Sequence, residues 1–361
     1  MAATVRDIAQ RAAVSSGTVS RVLNNHTNID EGLRRRVLRA AADLGYARRG
    51  RGRPSAQRVD LGEIGFFMSL PHRKVGGDLL GPFWAHILHG AEDQARKYGA
   101  RITYRPIRDP EPAAMRTEIE RVAPDAVLLV GATPVELVRE ALRGAIPVCL
   151  VDNAVPGMPV DAVLSDNFWG ARTAVELLLA YGHRAIAFIG GPRAPGAHWA
   201  STIYTLDWRG AGYLAALRRA GVPVDDDLGE SCDLTPTGGY EACQRLLARG
   251  TPFSAVFCGN DPTAVGVFKA LREAGVRVPD DVSVVGFDDD LADHTAPPLT
   301  TIQVGKEEMG AAAVRRLRDR VAEPATVPAT VTLGVRLVER ESVGWAAARC
   351  GESRDPRRNN V

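Results

Sequence analysis

The chain has 361 residues, of which 45% are hydrophobic and 24% are charged, and its formal net charge is +2. These values are ordinary for a globular protein and exclude a collagen-like or wholly disordered chain. The sequence has no apolar run of about 18 residues and no signal-peptide pattern at its start, so we expect neither a membrane span nor secretion. The five cysteines have no paired or metal-ligand spacing, which favours reduced thiols and a cytoplasmic location.

The charge is distributed unevenly along the chain. Residues 1–58 contain twelve arginines and four acidic residues, a net charge of +8, so the remainder must carry −6 to give the total of +2. A basic segment at one end of a mildly acidic body is typical of a protein that meets DNA with that end only.

Three short helices are predicted at the N-terminus. An apolar stripe at helical spacing runs through residues 5–12, and Thr4 begins a capping-box pattern just before it. Ser15 is a favourable N-cap for a second helix. Asp30 is a favourable N-cap for a third helix, which ends near Gly45.

The second predicted helix has an apolar side at Val19 and Val22. Its polar side carries four residues at spacing i, i+3, i+4 and i+7: Gly17, Ser20, Arg21 and Asn24. Two short helices joined by a three-residue turn, with an arginine on the outer face, are typical of a helix-turn-helix that enters a major groove. A three-helix bundle with a merely solvated face is the alternative, and the basic charge of this segment favours DNA binding.

From Leu61 onwards the pattern is that of an α/β body. Apolar runs alternate with amphipathic stretches, which indicates parallel sheets covered by helices, and the length favours two lobes. The apolar runs are 64–68, 126–130, 148–151, 185–189, 255–258 and 282–287, and the helical stretches are 83–99, 168–182, 207–221, 238–249, 262–275 and 305–322.

Polar residues follow several of these runs. Asp152, Asn260 and Asp288 each come directly after a predicted strand, where ligands of parallel sheets bind. Carboxylate and amide groups suit the hydroxyls of a sugar, although helix N-capping is the alternative role. Phe83 and Trp84 begin a helix after the first strand and are expected at the mouth of the cleft, with packing in the core as the alternative for one of them.

The residues 4–46 resemble the DNA-binding head of the LacI/GalR family almost position by position. The most specific runs are Val14-Ser15-x-x-Thr18-Val19-Ser20-Arg21-Val22-Leu23-Asn24 and Leu44-Gly45-Tyr46, and the resemblance continues to about Glu341. It implies an N-terminal three-helix helix-turn-helix head and a two-lobed, periplasmic-binding-protein-like body with parallel sheets. It also implies a repressor that binds operator DNA and responds to a small ligand between the lobes.

The resemblance implies domain bounds as well. The head is expected at 1–47, an arginine-rich linker at 48–60, the body at 61–342 and a flexible tail at 343–361. Within the body, lobe one is expected at 61–165 and 294–325, and lobe two at 166–293 and 326–342. The tail has no leucine heptads, so we expect a homodimer and not a larger assembly.

The family's DNA contacts can be carried over residue by residue. Ser16 and Gly17 stand at the two positions that choose the base sequence, and Arg21 stands where the family reads a guanine. The residues implied to contact mainly phosphates are Thr4, Ser15, Thr18, Ser20 and Asn24.

The linker departs from the family pattern. Residues 47–60 contain no leucine, whereas the family's hinge places a leucine in the minor groove. Arg51-Gly52-Arg53-Pro54 resembles the core of an AT-hook, in which arginines occupy a narrow minor groove. A basic tether that binds phosphates without sequence preference is the alternative.

The ligand contacts implied by the resemblance are Ser69, Phe83, Trp84, Asp152, Arg209, Leu234, Asn260 and Asp288. Leu234 stands where relatives often have an aromatic residue that stacks on the ligand, which argues against a simple sugar-stacking floor. The stretches 71–80 and 193–207 are longer than is usual in the family. They are interpreted either as loops that close over a larger ligand such as an oligosaccharide or as plain surface loops.

The sequence shows no enzyme motif and no metal-ligand spacing, so we expect no catalysis, no metal and no cofactor. The expected partners are double-stranded operator DNA, a carbohydrate effector and a second copy of the chain. The alternatives are a purine or other non-sugar effector, an activator of the same architecture and, least favoured, a solute-binding protein of a transporter.

Overall fold

A computed structural model describes residues 5–23, 31–43, 61–69, 81–144, 146–194, 196, 199–290 and 292–346. The chain divides into an N-terminal unit, residues 1–58, and a larger unit, residues 59–361. Several residues named above lie outside the described part, namely Thr4, Asn24, Asp30, Gly45, Arg51, Arg53 and the stretch 71–80, as do the side chains of Ser20 and Arg21.

The N-terminal unit contains the three helices that the sequence predicts, which are confirmed as α1 (Val5–Ala12), α2 (Ser16–Leu23) and α3 (Glu31–Asp43). Their small core is formed by Ile8, Val19, Val22 and Val37, each almost fully buried. Ser15 caps α2, since its hydroxyl oxygen accepts a hydrogen bond of 3.1 Å from the N–H of Thr18.

The larger unit contains twelve strands and eight α-helices among its described residues. The strands are β1 (Glu63–Ser69), β2 (Arg101–Ile107), β3 (Ala126–Val130), β4 (Val148–Val151), β5 (Asp161–Ser165), β6 (Ile186–Gly190), β7 (Gly229–Ser231), β8 (Ala255–Cys258), β9 (Ser283–Val285), β10 (Thr301–Gln303), β11 (Thr330–Leu333) and β12 (Arg336–Val338). The helices are α4 (Pro82–Lys97), α5 (Pro112–Val122), α6 (Val135–Arg143), α7 (Asn167–Ala180), α8 (Tyr204–Arg219), α9 (Pro236–Arg249), α10 (Asp261–Glu273) and α11 (Lys306–Ala322).

Ten of these strands form two parallel sheets, one for each lobe. The first has the order β11-β5-β4-β3-β1-β2 and the second the order β7-β6-β8-β9. Strands β3, β4 and β8 are buried along their whole length, as expected for continuous apolar runs that helices cover on both faces. None of the described helices has the length and hydropathy needed to span a bilayer.

Three segments cross between the two lobes. The chain passes from β5 to α7, from β9 to β10 and from β11 to β12, and β10 pairs antiparallel with β12 at the crossing. Strand β11 pairs with β5 in the first sheet, whereas 326–342 is predicted to lie wholly in lobe two. The chain therefore completes the first sheet before it crosses back at 334–336.

The helices α4 and α11 touch through their backbones. A Cβ atom on Gly90 would overlap the backbone oxygen of Glu307, and one on Gly310 would overlap that of Ile87. Glycine at both positions therefore lets the two helices pack at a distance that no larger residue permits.

Candidate ligand-binding cleft

The cleft lies where the carboxyl ends of strands from both sheets come together at the crossing segments. From the first sheet it receives Ser69 at the end of β1, Asp152 after β4 and Ser165 at the end of β5. From the second lobe it receives Asp288, which follows β9, and Arg209 from the first turns of α8. All five residues are buried.

Arg209 is the centre of the polar network. Its Nε donates to Asn167 Oδ1 at 2.8 Å, and its Nη2 donates to Asp288 Oδ1 at 2.9 Å. A third donor, Nη1, binds the backbone oxygen of Gly259, and the guanidinium carbon lies 3.7 Å from the ring centre of Phe287. The side chain is thus held flat in one orientation by hydrogen bonds and a cation–π contact.

Two buried carboxylates flank this guanidinium. Burial raises the pKa of Asp152 from 3.8 to about 7, an effect that Arg209 partly offsets and the Asp288 carboxylate reinforces. Burial also raises the pKa of Asp288, although the charges of Arg209 and Lys306 oppose it. Both acids have positive φ angles, 55° for Asp152 and 105° for Asp288, a backbone strain typical of functional sites.

Three buried polar atoms of the cleft have no hydrogen-bond partner within the described part of the chain. They are the hydroxyl oxygens of Ser69 and Ser165 and the Oδ1 atom of Asp152. All three stand at the carboxyl ends of strands of the first sheet. Since a buried polar group without a partner costs about 1–3 kcal/mol, such a group is suited to a hydroxyl-bearing ligand.

Lys306, the first residue of α11, joins the two lobes beside this network. Its Nζ donates to the backbone oxygens of Asp288 at 2.8 Å and Asp289 at 2.9 Å. It also lies 3.9 Å from Oδ1 of the buried Asp290. Because α11 packs on the first sheet and these acids follow the second, the contact connects Asp288, a predicted ligand residue, to lobe one.

Phe83 and Trp84 lie in the first turn of α4, half-buried and packed against the core. Their rings meet edge to face, with centres 4.8 Å apart and an interplanar angle of 89°. The Trp84 ring also lies beside Gly131, where a Cβ would come within 3.2 Å of it. Each ring therefore packs partly against the core and is partly exposed.

Leu234 and Asn260 are joined by a hydrogen bond. The Asn260 side chain caps α10, since its Oδ1 accepts from the N–H of Thr263 at 3.0 Å and from its hydroxyl at 2.6 Å. Its Nδ2 donates to the backbone oxygen of Leu234 at 3.1 Å. The N-capping alternative thus describes Asn260, and its role as a ligand contact stays a prediction.

Asp261, the next residue, is fully buried at the start of α10. It accepts from the hydroxyl of Thr301 at 2.6 Å and from the N–H of Asp290 at 2.8 Å. Burial raises its pKa to about 7. Within the described ranges, no group of three or more His, Cys, Asp or Glu residues is placed to hold a metal ion.

In the head, Ser15, Ser16 and Gly17 are exposed at the start of α2, and Thr18 is half-buried. Such an exposed helix start with small side chains can approach a DNA groove closely.

Both the N-terminal part and the body of the chain match known protein families. Residues 4–49 match the family of bacterial regulatory proteins, lacI family, and residues 175–343 match a periplasmic binding protein-like domain. The HTH-type transcriptional repressor CytR of Escherichia coli (strain K12) is 32% identical, over 89% of this chain and 90% of its own length.

The chain belongs to the LacI family. The structure of the transcriptional regulator CelR in complex with cellobiose has a TM-score of 0.69 and 30% identity, covering 94% of this chain and 99% of that one. The Lac repressor dimer bound to operator and the anti-inducer ONPF has a TM-score of 0.66 and 25% identity, covering 95% and 100%. As a LacI-family member, the chain is a ligand-controlled, DNA-binding transcriptional regulator and not an enzyme.

Of the predicted ligand residues, the structure brings Asp152, Arg209 and Asp288 into one electrostatic group, and their contact with a ligand stays a prediction. Asn167, Ser165 and Lys306 lie in the same region and were not among the residues predicted to bind the ligand. The polar run Ser165-Asp166-Asn167, directly after an apolar strand, was the available signal.

Replacing Asp152 by asparagine is expected to stabilise this LacI-family protein above pH 7 by about 1–3 kcal/mol, since the folded state no longer buries a carboxylate. The pKa of Asp152 in the folded state, about 7, lies above the ordinary 3.8. The unfolded chain therefore loses this proton at a lower pH than the folded protein does. As a result, the free energy of unfolding of the wild type falls as the pH rises from about 4 to 7 and remains at the lower value above pH 7. Urea denaturation between pH 5 and pH 8.5 measures the difference, which should shrink towards pH 5.

Asp281→Asn is the matched control, because Asp281 is exposed and a hydrogen bond from Arg277 lowers its pKa. That substitution should cause a smaller change of the opposite sign above pH 4. Equal pH profiles for wild type and Asp152→Asn would contradict the raised pKa of the buried Asp152 carboxylate.

Proposed function

We propose that this protein is a cytoplasmic, homodimeric repressor whose affinity for operator DNA is controlled by a carbohydrate in the inter-lobe cleft. The observation that carries the choice of ligand is the set of unpartnered, buried oxygens of Ser69, Asp152 and Ser165 beside the Arg209 guanidinium. Carboxylate and hydroxyl oxygens accept or exchange hydrogen bonds with several adjacent sugar hydroxyls, and the arginine offers planar donors on the opposite side.

Two of the structural neighbours support a sugar ligand. CelR was solved with cellobiose, and a LacI-family regulator from Enterococcus faecium, 26% identical over 78% of this chain and 99% of its own, was solved with bound ribose at a TM-score of 0.66. Leu234 does not decide between a sugar and a purine, because the lack of an aromatic ring at this position removes a stacking surface for either ligand.

Ligand binding is coupled to DNA binding through the crossing segments. A sugar that bonds Asp152 in lobe one and Arg209 in lobe two favours one relative orientation of the lobes. Lys306 then carries the change from the Asp288–Asp289 backbone into α11 of lobe one. In a dimer, such a change alters the spacing of the two heads relative to half-sites about one helical turn apart.

The test is a thermal-shift screen of the full chain with ribose, glucose, cellobiose, longer gluco-oligosaccharides, adenine and guanine, because a ligand of the folded state raises the melting temperature. Each hit is then added to a complex of the protein with an operator selected from random DNA. We expect a sugar to raise the melting temperature and change operator affinity. If only the purines raise the melting temperature, the carbohydrate proposal is wrong and a purine effector takes its place. If the wild-type protein selects no DNA sequence and binds no operator, the regulator function is overturned.

We propose further that the linker arginines Arg51 and Arg53 enter the minor groove. The double substitution Arg51→Ala/Arg53→Ala is expected to remove the preference for A·T over G·C pairs at the operator centre, because only a narrow groove attracts these side chains strongly. Operator variants with A·T-rich and G·C-rich centres, compared at one salt concentration, measure it. An unchanged preference would leave the linker as a phosphate-binding tether.

A further inference from the structure

An exposed group of aromatic side chains lies at the starts of α7 and α8. It consists of Phe168 and Trp169 from α7 with Tyr204 and Trp208 from α8, and we call it the aromatic shelf. Trp169 is 53% exposed and Trp208 is 43% exposed, unusual values for the residue type with the largest apolar surface. Packing in the core does not explain the two tryptophans, because about half of each side chain lies outside the core.

The rings of the shelf do not cover one another. Phe168 meets Trp169 at 5.8 Å and 88°, and it meets Trp208 at 6.1 Å and 84°. Tyr204 and Trp208 are tilted by 59° at 6.2 Å. Edge-to-face contacts leave ring faces unstacked and hold each ring in a fixed orientation.

One tryptophan is also supported from the side. The Arg172 guanidinium lies 4.5 Å from the centre of the Trp169 ring, and a 2.8 Å hydrogen bond to Glu176 fixes that arginine. The backbone N–H of Trp169 donates to the Asp166 carboxylate, which caps α7. The ring is therefore held with one face covered and the other available.

The shelf is connected to the Arg209 network through both helices. Trp208 directly precedes Arg209, and Phe168 directly follows Asn167. The Arg209 and Asn167 side chains are joined by a 2.8 Å hydrogen bond. On each helix, therefore, a shelf residue is the chain neighbour of a residue of the polar network.

The chemistry of the shelf suits sugar rings better than a protein surface. A pyranose has flat C–H faces that pack on aromatic rings and a rim of hydroxyls that needs polar neighbours. Arg172, which lies on the Trp169 ring, and Asp166, which caps the helix that carries it, are such polar neighbours. A stable protein interface needs about 800 Å² on each partner, far more than four side chains provide.

We propose that the aromatic shelf binds the outer sugar units of an oligosaccharide whose inner unit occupies the cleft. This inference rests on the proposed carbohydrate effector and extends it from a sugar to an oligosaccharide. The shelf supplies stacking for the outer units, and the Arg209 network supplies hydrogen bonds for the inner one.

The test measures affinity of the full chain for glucose, cellobiose, cellotriose and cellotetraose, and for the corresponding malto-oligosaccharides, by calorimetry. In one of the two series we expect affinity to rise about tenfold when a sugar unit reaches the shelf. Trp169→Ala and Trp208→Ala should each remove most of this gain and leave the affinity for the shortest ligand that binds unchanged. Trp345→Ala is the matched control, because Trp345 is 42% exposed but packs on Tyr181 away from the shelf.

The possible results separate the two proposals. A wild type that binds short sugars without a gain from added units, or shelf variants that keep the gain, would overturn the shelf and leave the carbohydrate effector standing. No binding of any sugar would overturn both. Sedimentation of the same variants is the last check, since a change of oligomeric state would make the shelf a contact between copies of the chain and overturn its role in sugar binding.

Discussion

Replacing Arg209 by methionine is expected to lower the free energy of unfolding at pH 7 by about 3–5 kcal/mol and to abolish the response of operator binding to the effector. The methionine fills similar space but leaves the Asp288 carboxylate without its 2.9 Å partner in a buried site. It also removes the positive charge that lowers the pKa of Asp152. Urea denaturation and operator titration with and without the effector measure the two losses.

The pH dependence identifies the cause of the Arg209→Met defect. Without the guanidinium, the pKa values of Asp152 and Asp288 rise further, so protonation neutralises both acids at a higher pH. The stability loss should therefore shrink as the pH falls from 8 to 5. Arg277→Met, which removes an exposed arginine paired with Asp281, should show a small effect, and an equally small effect of Arg209→Met would contradict the buried network.

Replacing Arg21 by alanine is expected to reduce operator affinity by about 10- to 100-fold for each half-site, since a bidentate contact to guanine is worth ~1–3 kcal/mol. In a dimer both heads lose this contact, so the combined effect approaches the square of that factor. The measurement is a binding titration at fixed salt with an operator that the wild-type protein selects from random DNA. Arg11→Ala, an exposed arginine of α1, is the control and should weaken binding less and equally for all sequences.

The operator itself provides a second control for Arg21. Replacing the contacted guanine should weaken the wild type and leave Arg21→Ala unaffected, because the variant has no side chain to lose the contact. If both proteins lost affinity equally on that base change, Arg21 would not be the guanine reader. Specificity would then have to come from Ser16, Gly17 or the linker.

The sequence predicts well those elements whose apolar pattern is compatible with only one kind of secondary structure. The strands β3, β4 and β8 lie at the predicted residues because each is a continuous apolar run. Strand β2 was missed, since it stands at the sheet edge, is mostly half-exposed and contains Arg101 and Arg105. Strand β11 was assigned to the wrong lobe, because a half-exposed strand has no pattern that tells which of two sheets it completes.

The candidate site divides in the same way. Residue type and position at a strand end pointed to Asp152 and Asp288, and the family pattern pointed to Arg209. The structure places these three residues together in a buried group, and their contact with a ligand stays a prediction. Lys306 could not be found, because a lysine at a helix start is ordinary and its contacts are to backbone oxygens far along the chain. Asn260 has the residue type of a ligand contact, and in the structure its Oδ1 caps α10 while its Nδ2 donates to Leu234, so its contact with a ligand stays a prediction.

The glycine contacts between α4 and α11 bear on how this protein can change over evolutionary time. Gly90 and Gly310 touch no predicted ligand residue, yet each faces the backbone of the other helix. Phe83 and Trp84 lie in the first turn of α4, and Lys306 is the first residue of α11. Because the two backbones touch at Gly90 and Gly310, a shift of one helix is expected to move the other. Substitutions at these two glycines should be rare even in relatives that have exchanged one effector for another, while the ligand residues around them diverge freely.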